Sequence, residues 1–210
     1  NKTTLQYKDL LDSLSCMMSV SSNRSRARFS VRGLFYYKKD AGLRIDIMGP
    51  FMVPAGSIFY SDSLRILPEE FNSEMKNLFG DNGETIEDIA ELVARFFDGR
   101  FVNEFFDPSV MEKKRRRWIT FEKQFSSVRI DYRRRRVVRY KYFSNSGYEV
   151  LAEMKDFTSI DGINIPKKID VRIPELRQRF TLKLTNISIN QDAGKELFKP
   201  AESAPAPEAK

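Results

Sequence analysis

The feature that most constrains this chain is an alternation of period two, repeated in short runs along most of its length. Phe29, Val31, Gly33, Phe35 and Tyr37 alternate with Arg28, Ser30, Arg32, Leu34 and Tyr36, and Leu43, Ile45 and Ile47 alternate with Arg44 and Asp46. Successive side chains of a strand point to opposite faces, so runs like these bury one face and wet the other. Lys39-Asp40-Ala41-Gly42 joins the two runs as a turn. Ile58-Phe59-Tyr60 and Leu64-Arg65-Ile66-Leu67, around Ser61-Asp62-Ser63, predict a further hairpin. From Trp118 the pattern resumes in Ile119/Phe121, Val128/Ile130/Tyr132, Val138/Tyr140/Tyr142 and Tyr148/Val150/Ala152/Met154. After Asp161-Gly162 it continues in Ile169/Val171/Ile173 and Phe180/Leu182/Leu184. About ten strands in sequential order, joined by short turns, predict an antiparallel meander that curls into a full or partial barrel.

Two stretches depart from this period. Leu10, Leu11, Leu14, Met17 and Met18 fall at helical spacing, which predicts an amphipathic helix over 5–18 and a polar connection over 19–25. Beyond Pro68, Phe71, Met75, Leu78 and Phe79 share one helical face, and Gly80-Asp81-Asn82-Gly83 ends that helix. Thr85 caps the next, whose apolar stripe is Ile86, Ile89, Ala90, Val93, Phe96 and Phe97. The fold class is thus mainly β with helices (α+β). Residues 1–199 are expected to form one domain and 200–210 a disordered Pro/Ala-rich tail.

Composition narrows the chemistry. Histidine is absent, which removes Ser-His and Cys-His nucleophiles and histidine-ligated metals. The single cysteine, Cys16, removes an internal disulfide and any multi-cysteine metal site, and it reads as a half-buried small apolar residue. Glu69-Glu70 and Glu87-Asp88 read as solvated helix acids, and no Gly-rich phosphate loop occurs. No catalytic residue, metal ligand or cofactor is expected. Nor does any apolar run approach the ~18 residues that cross a bilayer, so a soluble chain is expected.

Binding is the remaining class. A curved sheet has a concave face that its own side chains need not fill, and two helices placed mid-sequence are natural plugs for it. The residues expected to line that space are Phe29, Val31, Phe35, Ile45, Ile47, Ile58 and Tyr60 from the early strands. Phe71, Met75, Ile86, Ile89, Val93, Phe96 and Phe97 come from the helices, and Ile130, Tyr132, Tyr140, Tyr142, Val150 and Leu182 from the late strands. Either the helices complete a dry core, or their soft Phe and Met side chains cover a lipid cavity. The loop 49–56 presents a second choice. Phe51, Met52 and Val53 sit between Gly/Pro turn formers, and they either enter a membrane or partner or fold back on the rim.

Charge is uneven. Thirteen Lys/Arg and three acids fall between positions 111 and 141, so this stretch carries the excess behind the net charge of +7. Arg115, Arg116 and Arg117 precede the Trp118 strand, and Arg133, Arg134, Arg135 and Arg136 lie at a hairpin tip. The rival functional reading is a basic module for anionic membrane headgroups or nucleic acid, with an ordinary filled core. Nucleic acid is disfavoured because the aromatics fall on the buried parity and the arginines on the exposed one, whereas headgroups attract each basic residue by about 1 kcal/mol. A merely solvated face is the plain alternative.

Several of these segments resemble a known family. Arg28-Phe29-Ser30-Val31-Arg32-Gly33-Leu34-Phe35, followed by Leu43-Arg44-Ile45-Asp46-Ile47-Met48-Gly49-Pro50-Phe51, looks like the opening of the lipoprotein-localisation proteins LolA and LolB, and more like LolB. Asp161-Gly162-Ile163-Asn164-Ile165-Pro166-Lys167-Lys168-Ile169 and the run 187–200 are similar to that superfamily's final strands. The resemblance implies an unclosed antiparallel barrel with helices at its mouth and a cavity for the acyl chains of lipoproteins or lipids. It also implies a periplasmic, non-catalytic carrier or receptor that delivers cargo to the inner leaflet of the outer membrane. A periplasmic carrier protein would be a partner, the protein a monomer, and its tether a lipidated cysteine upstream of Asn1. Phe51 falls where the apolar tip of the LolB loop would lie, with Met52 and Val53 lengthening it. The LolA arginine that precedes a proline and ties the lid has no counterpart; Arg44 lies near but does not match.

Overall fold

Each alternating run becomes a strand over most of its length, with Tyr132 and Tyr148 falling just outside the strands. The computed structural model describes residues 11–23, 28–49, 51, 53–61, 64–67, 84–98, 110–191 and 195–198. Strands β1 (Ser13–Asn23), β2 (Arg28–Lys38), β3 (Gly42–Met48), β4 (Pro54–Tyr60) and β5 (Leu64–Leu67) form one meander. Helix α1 (Glu84–Phe97) follows. A second meander holds β6 (Met111–Lys114), β7 (Trp118–Lys123), β8 (Ser126–Asp131) and β9 (Arg136–Phe143). It ends in β10 (Glu149–Ile160), β11 (Ile163–Ile173) and β12 (Gln178–Ile189).

All twelve strands join one sheet in the order β5-β4-β3-β2-β1-β12-β11-β10-β9-β8-β7-β6. The two meanders are fused by β1 against β12, with Leu14 opposite Ile189 and Ser22 opposite Phe180. The free edges are β5 and β6, which flank the insert carrying α1. Among the described residues they do not pair, so the sheet stays open.

The helix shows how far the sheet bends. Phe97 touches Phe35 and Tyr37 of β2, while Arg95 covers Tyr142 of β9. Those strands are five steps apart in the sheet order, or about 24 Å if it were flat. Arg95 and Phe97 lie only about 3 Å apart along the helix axis. Both contacts exist because the two arms fold round the helix.

Three expectations change. Residues 13–18 are strand, not helix, and β1 runs on through most of the supposed polar connection. The leucines and methionines of 10–18 fit either period. The outcome is set by low helix propensity in Ser13, Ser15, Ser19, Val20, Ser21 and Ser22, and by partners on both sides, with eleven residue pairs to β2 alone. Leu14, Cys16, Met18 and Val20 then face inward and Met17 lies on the other parity. Secondly, the strands number twelve among the described residues, because β1 and the charged lead-in Met111–Lys114, an edge strand exposed throughout, add to the ten expected. The short length and two lysines of β6 suit an unpaired edge. Thirdly, one α-helix is present among the described residues, beside a single 3-10 turn at Lys195–Phe198; the stretch holding Phe71 and Met75 lies outside them, as do Met52 and the tail 200–210.

A register shift between Arg129 and Ile130 also moves the inward parity. Ile130 and Asp131 are both buried, and Val137, not Val138, faces the core. Gly33 in β2 marks a close backbone approach, since a Cβ there would stand 2.6 Å from the Asp46 carbonyl oxygen of β3.

Candidate functional site

The inner face of the sheet gathers most of the residues expected there. Phe35, Ile45, Ile47, Ile58 and Tyr60 are buried on one arm, and Ile130, Tyr140, Tyr142, Val150 and Leu182 on the other half of the sheet. Val31 is half-buried against them. The Phe29 backbone lies in β2, but its side chain is outside the described set. Tyr132 is not brought in. It sits in the turn after β8, where its hydroxyl donates to the Arg116 carbonyl at 2.5 Å.

α1 occupies the concave side. Ile86, Ile89, Val93, Phe96 and Phe97 are buried, and from Ile86 to Phe97 only Glu87 and Arg95 reach partial exposure. The Phe97 ring lies 5.7 Å from Phe35, 5.8 Å from Tyr37 and 5.2 Å from Phe96. The helix is therefore an internal plug, enclosed on nearly all sides. Polar groups fasten its two ends. Tyr37 donates to Asp98 at 2.5 Å near the C-terminus, and Tyr142 donates to the Asp88 carbonyl at 3.1 Å nearer the start. Burial, and next to it the Glu91 carboxylate, pushes the Tyr142 phenol well up, which keeps it a neutral donor.

Two acids were missed by the sequence reading. Asp88, expected in solvent, is fully buried, and Glu91 is buried beside it. Glu91 accepts from Arg95 Nε at 2.8 Å and from the Asn145 backbone N–H at 3.1 Å, while the Arg95 guanidinium lies 5.0 Å from the Tyr142 ring centre. The i,i+4 spacing of Glu91 and Arg95 was the available signal. It marks a clasp between α1 and the turn after β9.

The loop between β3 and β4 turns outward. Phe51 is 99% exposed and Val53 61% exposed, so the fold-back alternative does not hold for these two side chains. The Gly49 N–H donates to the Val53 carbonyl at 2.8 Å, which tightens the base of the loop. Phe51 has φ +58°, a left-handed conformation that is costly for a bulky residue. An open groove lined by Ser30, Arg32, Met48, Gly49 and Phe51 runs beside it.

The register shows what shares this end of the sheet. Met111 lies opposite Glu122 near the end of β7, and Phe125 is in the next turn. Phe143 ends β9 and meets the Phe125 ring at 5.4 Å, edge on. Every exposed large hydrophobic among the described residues (Phe51, Val53, Met111, Phe125 and Phe143) thus lies toward one end of the strands.

The arginines lie at the other end. The β6–β7 turn carries Arg115, Arg116 and Arg117, and the β8–β9 turn carries Arg133, Arg134 and Arg135. Arg136 is not at the tip as expected. It begins β9, is 17% exposed, and rests 4.2 Å from the Phe157 ring centre. The long strands of eleven or twelve residues separate the two ends by about 35 Å. The apolar loop and the arginine patch therefore lie at opposite ends of the strands.

In sequence, no protein-family model and no curated protein matches the chain. In structure, it is similar to a LolA superfamily protein from Nitrosomonas europaea, at 11% identity, with 95% of each chain covered and a TM-score of 0.57. It is also similar to a domain from Vibrio parahaemolyticus named for outer membrane lipoprotein sorting, at 8% identity, 91% of each chain and a TM-score of 0.62. A third likeness is to a DUF1329 family protein from Desulfovibrio piger, at 12% identity, 93% of this chain and 92% of that one, with a TM-score of 0.53. The chain has the fold of these proteins.

Proposed function

We propose that this protein is a non-catalytic carrier of acyl chains. In this reading the chain of a lipoprotein or lipid enters the concave side of the sheet as α1 moves out, and the Phe51 loop meets the membrane that receives it. The setting is the periplasm and the destination the inner leaflet of the outer membrane. The single observation that carries the reading is Phe51: an aromatic side chain almost wholly in solvent, at the tip of a tight loop, in strained backbone, within a fold shared with a domain named for lipoprotein sorting.

Magnitudes support the exchange. An acyl chain of about sixteen carbons carries on the order of 12 kcal/mol of transfer free energy, at ~0.8 kcal/mol per methylene. Ile86, Ile89, Leu92, Val93, Phe96 and Phe97 are buried on α1. At about 1.5–3 kcal/mol each, their burial is worth about 9–18 kcal/mol. The two sums are of one size, so a chain can replace the helix without a large net cost. Against this stand the bonds that fasten the helix, Tyr37 to Asp98, Tyr142 to the Asp88 carbonyl and Glu91 to the Asn145 N–H, which are exchanged for bonds to water as it leaves.

The test uses a fluorescent fatty acid and phospholipid vesicles. Saturable uptake by the protein is expected, followed by transfer to vesicles. Phe51→Asp should leave uptake and thermal stability unchanged and slow transfer at least about tenfold, because it removes the apolar tip. Absence of uptake, or transfer indifferent to Phe51, overturns the reading.

A further inference from the structure

The arginine end of the sheet is braced as well as charged. Asp131 is fully buried at its base, where it accepts from the Arg134 N–H at 3.2 Å and from Arg117 Nη2 at 3.2 Å. The Tyr132 hydroxyl ties its turn to the Arg116 carbonyl of the neighbouring turn, and Asn164 Nδ2 donates to the Arg134 carbonyl at 3.3 Å from the β10–β11 hairpin. Three hairpins are thereby linked at their tips. Arg115, Arg116, Arg133, Arg134 and Arg135 are all exposed. Among the described residues none of the five has a carboxylate at ion-pair distance, whereas Arg139, Lys141 and Lys155 on the strands all do. Holding five like charges together opposes folding by self-repulsion, and an anionic surface would relieve it.

We propose that these linked arginine tips form a docking surface for an acidic face of a protein partner. The choice of a protein over a bilayer rests on the reading that the Phe51 end meets the membrane, for the arginines then point away from the lipid. A nucleic acid fits less well. Trp118, beside the tips, lies under the Arg117 guanidinium at 4.7 Å, and Tyr132 within them is held by its hydroxyl on the Arg116 carbonyl. Tyr140 and Tyr142 face the core, so the rings near the tips are already engaged or buried. The partner's acidic face replaces the missing carboxylates, and the pre-linked turns lose little freedom on docking.

Trp118 is the chain's single tryptophan and adjoins this surface, so its fluorescence reports on occupancy. The probe is a poly-glutamate peptide titrated into the full chain. Binding is expected to weaken at least about tenfold between about 50 and about 300 mM salt. The double variant Arg133→Ser, Arg135→Ser should weaken it by a similar factor with thermal stability equal to or above that of the parent, since like-charge repulsion falls. Arg172→Ser, Arg179→Ser removes the same charge from an exposed cross-strand pair on β11 and β12, and should weaken it less than about twofold. Equal losses in the two double variants overturn the proposal. So does tighter Arg133- and Arg135-dependent binding to phosphatidylglycerol vesicles or to a DNA duplex than to the peptide. Failure of fatty-acid uptake alongside tip-dependent peptide binding would remove the carrier reading and leave the docking surface standing.

Discussion

If α1 fills the place that cargo takes, loosening it should lower stability and raise affinity together. Phe97→Ala is the sharpest such change. Its ring is 1% exposed and meets Phe35, Tyr37 and Phe96, so truncation removes contacts to the sheet as well as within the helix. Buried Phe→Ala changes cost about 3–5 kcal/mol, which for a chain of this size lowers Tm on the order of 10 °C. Part of that loss falls on the docked helix relative to the displaced one. About 1.4 kcal/mol there raises the displaced population, and with it the apparent affinity for an acyl chain, about tenfold; about 3 kcal/mol raises it more than a hundredfold. The assay is a fluorescent fatty-acid titration beside thermal unfolding of the same preparations. Lower Tm with tighter uptake is the expected pair. Lower Tm with unchanged or weaker uptake would mean that the helix belongs to a permanently filled core, or is itself a wall of the site.

Three further outcomes follow from the strands. Gly33→Ala should cost about 1–3 kcal/mol in denaturant unfolding, because the new methyl meets the Asp46 carbonyl oxygen of the next strand. The Cys16 thiol, pushed up to about 12 by burial in the central strand, should resist alkylation at pH 8 in the native protein, and its labelling rate should track unfolding. On the outer face, burial pushes the Glu153 carboxyl up, but hydrogen bonds from Lys155 and Arg139 outweigh it and hold the carboxyl below its ordinary value; Lys155 and Thr181 do the same for Asp170. That stability is complete above the ordinary carboxyl range, about pH 4, and is lost as pH falls through the lowered values, so Glu153→Gln should flatten the acid limb of a Tm-against-pH curve by a small amount.

Much of the fold is legible in the alternation because one face of nearly every strand is buried. Phe35/Tyr37, Leu43/Ile45/Ile47 and Val150/Ala152/Met154 each carry the pattern without interruption. It fails where local and tertiary preferences part. Leu14 and Met18 suit a helix as well as a strand, and only the two neighbouring strands decide. At Val137 a register shift reverses the parity of β9, which no periodic count reveals. Phe51 is legible as apolar and in a turn, but its direction depends on the hydrogen bond between Gly49 and Val53. Asp88 looks solvated in sequence because Glu87 beside it is partly so; their difference arises from which side of α1 meets the sheet. The arginine tips are plain as charge and hidden as an assembly, since Asn164, remote in sequence, is one of the residues that link them.

The ladder between β1 and β12 has a consequence for how the molecule forms. Each arm is a run of hairpins whose partners are near neighbours, and these can nucleate locally. The seam pairs Leu14 with Ile189 across nearly the whole chain, so its loop-closure entropy must be met before any contact along it rewards the closure. Loop-closure entropy thus predicts that the centre of the finished sheet is the last ladder to zip. Until it does, two half-sheets expose inward faces rich in Phe, Tyr and Ile, and a newly made chain has reason to need a chaperone at that stage.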